Sequence, residues 1–209
     1  MFTGIIEEKG TVKVVNKKGS HTMISVGCGK VQGGIETGDS VAVNGVCLTV
    51  TGVGKDLTFD VVGNTLDNTN LKRLRAGTAV NLESAMKAGD KISGHMVTGH
   101  IDGERVIRKN VDTPKGRLVE IGMSPEDRKY LVAKGSVAVD GISLTVAEVE
   151  DRSFRVYLIP LTLESTTLKL KKPGEHVNVE FDIMAKYNEK APKSSGISRD
   201  FLRSTGFMD

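Results

Sequence analysis

The chain contains one eleven-residue phrase twice. Residues 40–50 read SVAVNGVCLTV and residues 136–146 read SVAVDGISLTV, so eight of eleven positions are identical at an interval of 96. Three positions differ: Asn44 corresponds to Asp140, Val46 to Ile142, and Cys47 to Ser143. Solenoid repeats have shorter periods and at least three copies. Two copies at this interval therefore predict two globular domains of one fold.

Further matches extend the repeat over most of the chain. Thr3-Gly4-Ile5-Ile6-Glu7 corresponds to Thr98-Gly99-His100-Ile101-Asp102, and residues 77–83 correspond to residues 174–180. The interval changes by only one or two residues, as expected for small loop differences. We therefore predict a first domain over residues 1–88, a second over residues 89–186, and a tail over residues 187–209.

The composition is that of an ordinary globular protein, with 38% hydrophobic and 26% charged residues. The net charge is +3, and basic clusters at residues 72–75 and 169–172 occupy matching places. Because no aromatic residues stand among them to stack on bases, they predict solvated turns rather than a nucleic-acid surface. The sequence also predicts no membrane span and no secretory signal. With only two cysteines, a cytoplasmic location is expected.

Most of the hydrophobic pattern alternates with period two, which is typical of β-strands. In each phrase, Asn44-Gly45 or Asp140-Gly141 separates two short strand segments, which predicts a hairpin with a tight turn of positive φ. About six strands per domain should close into a small barrel. Short helices are expected near residues 64–74, 125–132 and 161–170. In the tail, Ser198 would cap a helix over 199–204, while Pro192 would interrupt a longer one.

The repeat also directs attention to a few polar residues. His100 stands where the first copy has Ile5, and a neutral imidazole can accept a proton near pH 7. The alternative is a histidine at the surface or one with a structural hydrogen bond. Cys47 and Ser143 share a strand position, and Thr49 and Thr145 lie two residues further on the same strand face. A thiol alone suits a buried apolar site, but the matching hydroxyl favours a polar ligand.

The four histidines and two cysteines have no spacing typical of a zinc site. No Walker loop, dinucleotide-binding glycine motif or Ser-His-Asp order is present, so no metal and no cofactor is expected. The residues alone predict two similar β-barrels, each with one polar ligand pocket.

Six ordered blocks resemble the riboflavin synthase family over residues 1–187. They read MFTGIIEE, GDSVAVNGVCLTV, SGHMVTGHIDG, KGSVAVDGISLTV, LIPLTLESTTL and VNVEFDIMAKY. The resemblance implies a mainly β protein of two tandem six-stranded antiparallel Greek-key barrels, with short helices and a helical C-terminal tail. It also implies that two molecules of 6,7-dimethyl-8-ribityllumazine are converted, by transfer of four carbons, into riboflavin and 5-amino-6-(ribitylamino)uracil.

The resemblance implies a homotrimer with each active site between subunits, and association with lumazine synthase. Its catalytic positions correspond to His100 as the base, to Cys47 and Ser143 in the two pockets, and to Phe2, Ser40, Thr145 and Asp182. Phe2 is expected to close the pocket, and Asp182 to orient a polar partner. One substrate would contact Gly4, Ile5, Ile6, Cys47, Leu48, Thr49, Val61, Val62, Gly63, Asn64, Thr65, Leu66, Gly99, His100 and Ile101. The other would contact Lys134, Ser143, Leu144, Thr145, Leu158, Ile159, Pro160, Leu161, Thr162 and Leu163.

Two positions depart from the family pattern, which commonly has Glu at Asn64 and His or Glu at Leu161. Two alternative functions also stand beside the enzyme. A lumazine- or flavin-binding antenna protein on the same fold would need one working pocket, and a basic barrel would bind nucleic acid. Both copies retain their motifs, which favours the enzyme.

Overall fold

The computed structural model describes residues 1–191 and 199–206 and contains two closed antiparallel barrels of six strands each. The first barrel consists of β1 (Glu8–Lys18), β2 (His21–Gly27), β3 (Ser40–Val43), β4 (Val46–Val53), β5 (Leu57–Val62) and β6 (Ala79–Ser84). The second consists of β7 (Gly103–Thr113), β8 (Gly116–Gly122), β9 (Ser136–Val139), β10 (Ile142–Val149), β11 (Ser153–Leu158) and β12 (His176–Phe181).

The order of the strands around the first barrel is β1-β2-β5-β4-β3-β6, and that around the second is β10-β11-β8-β7-β12-β9. Each strand of the second barrel therefore has the neighbours of its counterpart in the first. This Greek-key arrangement confirms the predicted duplicated fold.

Each repeated phrase forms a hairpin, as predicted. Asn44 and Gly45 have φ of 47° and 78°, and Asp140 and Gly141 have φ of 46° and 79°. Such angles are those of the turns that match the twist of two-residue hairpins. The two turns also meet between the barrels, where a Cβ on Gly45 would lie 2.6 Å from the Gly141 nitrogen. Glycine is therefore required here for a close approach as well as for the turn.

Asparagine side chains join the barrels around these turns. Asn81 donates from Nδ2 to the Asp140 carbonyl at 2.9 Å, and its counterpart Asn178 donates to the Asn44 carbonyl at 2.8 Å. Both asparagines are fully buried. Since a buried polar group without a partner is costly, these reciprocal bonds favour one relative position of the barrels.

Short helices connect the strands. They are α1 (Gly63–Asp67), α2 (Pro160–Ser165) and 3-10 helices at Asn70–Arg73, Pro125–Tyr130 and Thr167–Leu170, followed by α3 (Ile183–Lys190) and α4 (Arg199–Ser204). The expected pieces at 64–74 and 161–170 are thus each an α-helical turn followed by a 3-10 turn. Helix α3 begins before residue 187 because Asp182 caps it by accepting from the Met184 N–H. Helix α4 has the predicted bounds, whereas Ser198 and Pro192 lie outside the described residues.

The basic side chains at residues 72–75 are exposed, as expected of a solvated turn, but two of them also form ion pairs. Lys72 and Arg73 form ion pairs of 2.9 and 2.6 Å with Glu104 of the second barrel. These side chains therefore connect the two barrels. None of the helices in residues 1–191 and 199–206 is long and apolar enough to cross a membrane.

Candidate functional site

Two short segments cross from one barrel to the other. We call residues 2–6 the first strap and residues 97–101 the second strap. Each precedes the first strand of its own barrel, and they pair through Phe2 and Val97, whose backbones exchange hydrogen bonds of 2.8 and 3.0 Å. The Ser143 N–H donates to the Gly4 carbonyl at 2.8 Å, and the Cys47 N–H donates to the Gly99 carbonyl at 2.9 Å. Each strap therefore lies on the site strand of the opposite barrel.

Glycine makes this contact possible. Gly4 and Gly99 have φ of 76° and 83°. A Cβ on Gly4 would lie 2.6 Å from the Ser143 Cβ, and one on Gly99 would collide with the Cys47 Cβ. Only a residue without a side chain lets the strap backbone lie directly against the site strand.

The straps divide one group of predicted binding residues between the two barrels. Gly4, Ile5 and Ile6 were expected to share a pocket with Cys47, but Gly4 contacts Ser143 and Ile6 packs against the core of the second barrel. Conversely, Ile101 packs against the core of the first barrel. The straps are thus exchanged between the barrels, and their contacts are reciprocal.

A cavity of about 280 Å³ lies at Cys47 and brings together several of the predicted binding residues. Cys47 is half-buried, while His100 is exposed at the edge of the second strap. Asn68 donates from Nδ2 to the Asn64 carbonyl and to its Oδ1, at 2.8 and 3.1 Å. The wall thus offers a thiol, an imidazole, hydroxyls and amides to a polar ligand. The lining residues are Val46, Cys47, Asn64, Thr65, Asn68, Thr69, Gly99, His100, Ile101 and Asp102.

Ser143 in the second barrel has a partner that the sequence did not predict. His95 Nδ1 lies 2.7 Å from the Ser143 Oγ, and its Nε2 is buried and has no hydrogen-bond partner among the residues that the structure describes. Burial lowers the pKa of His95, against the opposing charge of Asp182, so the neutral imidazole is favoured. In the tautomer that carries its proton on Nε2, the Nδ1 atom accepts a hydrogen bond from the Ser143 hydroxyl. The repeat carried no signal for His95, because its counterpart would precede Met1.

The remaining predicted catalytic residues lie at different depths. Phe2 is fully buried between the barrels, in a cluster against which Cys47 packs. Its ring therefore supports the Cys47 strand from the interior. Ser40 lines a neighbouring cavity of about 210 Å³ together with Glu7 and Ser84. Asp182 caps α3, and its negative charge raises the pKa of His95, against the larger effect of burial.

The predicted binding segments occupy equivalent positions in the two barrels. Leu48 and Leu144 are buried behind the site strands, and Thr49 and Thr145 are exposed on the face that carries Cys47 and Ser143. At the ends of β5 and β11, a buried residue is followed by three exposed residues and then by two half-buried ones. Val61, Leu158, Thr65, Leu66, Thr162 and Leu163 are buried or half-buried, whereas Val62, Gly63, Asn64, Ile159, Pro160 and Leu161 are exposed.

Lys134 has an unusual backbone. Its φ is 72°, and its N–H donates to the Val146 carbonyl as that of Gly38 donates to the Val50 carbonyl in the first barrel. A lysine thus replaces a glycine in a left-handed conformation, at a cost of roughly 1 kcal/mol. Its side chain is exposed.

Comparison with known proteins agrees with this duplicated architecture. The family model for the lumazine binding domain matches residues 3–85 and again residues 98–182. The fold and the two sites therefore define a protein built from two lumazine binding domains.

Close relatives give a more specific result. The riboflavin synthase of Actinobacillus pleuropneumoniae is 43% identical, with 99% of this chain and 100% of that protein covered. The riboflavin synthase of Bacillus subtilis (strain 168) is 39% identical, again with 99% of this chain and 100% of that protein covered. The chain belongs to the riboflavin synthase family. Among solved structures, LumP complexed with riboflavin has a TM-score of 0.79 and 25% identity, covering 87% of this chain and 99% of LumP.

Proposed function

We propose that this protein is a riboflavin synthase, a transferase that converts two molecules of 6,7-dimethyl-8-ribityllumazine into riboflavin and 5-amino-6-(ribitylamino)uracil. The observation that supports this most directly is the pair of related sites. Each has a polar side chain on its site strand, Cys47 or Ser143, and each is completed by a strap from the other copy. A reaction between two identical molecules uses two similar pockets.

The chemistry follows from the residues at these sites. The C7 methyl group of the substrate is acidic because the electron-poor ring stabilises its carbanion. His100 takes this proton, and Cys47 or Ser143 adds to C7 or positions a water molecule that does so. The two products together contain all atoms of the two substrates, so neither an oxidant nor a cofactor is required. Holding the two rings face to face supplies roughly 7–11 kcal/mol of the acceleration.

Assembly is part of the same proposal. For two pockets to face each other, the first barrel of one subunit meets the second barrel of another in a homotrimer. Exposed apolar side chains on α3, Met184 and Tyr187, support an interface at this helix, since they are 66% and 68% exposed in the single chain. Deletion of residues 187–209 should favour monomers in sedimentation. A truncated protein that sediments as a trimer would contradict this assignment.

We further propose a cytoplasmic location and association with lumazine synthase, which makes the substrate. The two cysteines, Cys28 and Cys47, are both free, in keeping with a reducing compartment.

The decisive experiment is incubation of the purified protein with 6,7-dimethyl-8-ribityllumazine alone. We expect riboflavin and the pyrimidinedione in equal amounts. A second candidate is a non-catalytic lumazine- or flavin-binding antenna protein. In favour of simple binding, LumP has a similar fold at 25% identity and was solved in complex with riboflavin. Tight binding without formation of riboflavin over hours would exclude the enzyme and support this alternative.

A further inference from the structure

Two buried carboxylates lie beneath the straps. Glu83 at the end of β6 and Glu180 in β12 are only 4% and 2% exposed. They occupy equivalent positions in the two copies. Burial raises the pKa of each carboxyl, and hydrogen bonds from its strap oppose that effect. A carboxylate in such a place needs donors, and the straps supply them.

Glu180 binds the second strap through three hydrogen bonds. Its Oε1 accepts from the Thr98 N–H and from the Thr98 hydroxyl, both at 2.7 Å, and its Oε2 accepts from the Gly99 N–H at 3.0 Å. The Thr98 hydroxyl oxygen in turn accepts from the His100 N–H at 3.2 Å. Because the hydroxyl proton is committed to Glu180, its oxygen is oriented towards His100. The carboxylate thus controls the backbone on both sides of Gly99.

The same strap is bound to the Cys47 strand on its other side. The Gly99 carbonyl accepts from the Cys47 N–H at 2.9 Å. Because Gly99 has no side chain, the two backbones lie in direct contact. The position of His100 relative to Cys47 therefore depends on a strap held from two sides. Glu180 supplies one side and the site strand supplies the other.

Glu83 has the same contacts in the first copy but supports a different residue. It accepts from the Thr3 N–H, the Thr3 hydroxyl and the Gly4 N–H at 2.7, 2.8 and 3.0 Å. The Thr3 hydroxyl then accepts from the Ile5 N–H at 3.3 Å. The strap held by Glu83 carries Ile5 and lies on Ser143. A substitution at Glu83 is therefore the matched control for the same substitution at Glu180.

We propose that Glu180 is a positioning residue for the reaction, because its carboxylate holds the strap that carries His100 against the Cys47 strand. This inference rests on the proposed function. Glu180 does not touch the substrate; it acts through Thr98 and Gly99. In a Gln variant, the amide nitrogen replaces one acceptor oxygen and faces a strap N–H, so at least one of the three bonds is lost.

The test compares Glu180→Gln with Glu83→Gln in a Cys28→Ser background, where Cys47 is the only thiol. The first readout is the rate of labelling of Cys47 by dithionitrobenzoate without substrate. Loss of a charge-assisted bond to the second strap should increase this rate about tenfold in E180Q through local opening. In E83Q, the weakened bonds are those at Thr3 and Gly4, which lies on Ser143, whereas Phe2 keeps both backbone bonds to Val97. The labelling rate should therefore stay within about twofold of the parent. Equal labelling rates in the two variants would overturn the proposal, since global destabilisation would affect both.

The second readout is turnover of 6,7-dimethyl-8-ribityllumazine by the same variants. For E180Q we expect kcat to fall about tenfold while KM changes by less than about threefold, as expected when a catalytic group loses its orientation. An unchanged kcat in E180Q would refute the positioning role. If the parent makes no riboflavin, the proposed function fails, whereas the labelling comparison still tests the strap. Thr98→Val, with Thr3→Val as its reference, repeats the comparison if E180Q does not fold.

Discussion

Asp140 is a fully buried carboxyl group at the centre of the interface between the barrels. Its Oδ1 accepts from the Asn178 N–H and the Asn70 amide at 2.8 and 2.7 Å, whereas its Oδ2 accepts no hydrogen bond within residues 1–191 and 199–206. Lys171 lies 3.7 Å from that oxygen. Burial raises the pKa of Asp140 from its ordinary value of 3.8 to about 6, although the charge of Lys171 opposes this. The first copy has a neutral pair, Asn44 and Leu74, at the same two positions.

The raised pKa has a defined effect on stability. A carboxyl with a folded-state pKa above its unfolded value destabilises the fold as the pH rises from 3.8 to about 6, and the cost then levels off. At 1.36 kcal/mol per pH unit, the full cost is about 3 kcal/mol at pH 7 and roughly half of that at pH 5. Wild type should therefore gain about 1 kcal/mol from this group when the pH is lowered from 7 to 5.

The perturbation is the double substitution Asp140→Asn and Lys171→Leu, which copies the first barrel. Equilibrium urea unfolding at pH 7 and pH 5, at one protein concentration and one ionic strength, gives the free energy of unfolding for both proteins. On acidification, wild type should gain about 1 kcal/mol relative to the double variant, because the variant lacks the titrating pair. Lys171→Leu alone should enlarge the effect, since the stabilising charge is removed. Parallel pH dependences for wild type and the double variant would show that Asp140 does not destabilise the fold by titrating in this range.

Three further predictions concern the site and the interface. Ser143→Ala and His100→Gln should each lower turnover, by about tenfold or more, with a smaller effect on ligand binding measured by fluorescence; unchanged turnover in both would remove their proposed roles. Gly99→Ala should lower the free energy of unfolding by about 1–3 kcal/mol more than Gly77→Ala, since both have positive φ but only Gly99 lies against Cys47; equal losses in urea unfolding would contradict the contact. Burial raises the pKa of Glu104, but side-chain hydrogen bonds from Arg73 and Lys72 outweigh this effect and hold the pKa below its ordinary value of 4.5. Glu104→Gln should therefore cost about 1 kcal/mol at pH 7, and the difference from wild type should shrink as the pH falls below 4.5; a difference independent of pH would count against the ion pairs.

Local features of the fold were predictable because their causes lie within a few residues. The Asn44-Gly45 and Asp140-Gly141 turns need positive φ, and the sequence has the residues that adopt it most readily. The alternating strands on either side then bring Cys47 and Ser143 to the same strand position. Their pairing with Ala42 and Ala138 in the structure follows from the turn length alone.

Contacts between distant parts of the chain were not predictable in this way. The position that would match His95 falls before the first printed residue, so the comparison of the repeats did not mark it as the partner of Ser143. Lys72 and Arg73 belong to a basic cluster with the composition of a solvated turn, but Glu104 comes to them from the other barrel. In both cases the partner lies in a distant part of the chain.

The sequence by itself determined two similar barrels, their hairpins and the strand that carries each site residue, because hydrophobic period, turn chemistry and repetition act locally. The tertiary structure alone decided that the straps are exchanged, so that Gly4 lies on Ser143 and Gly99 on Cys47. The relative position of the two barrels depends on surfaces and buried hydrogen bonds that both copies contribute. No segment contains that information separately.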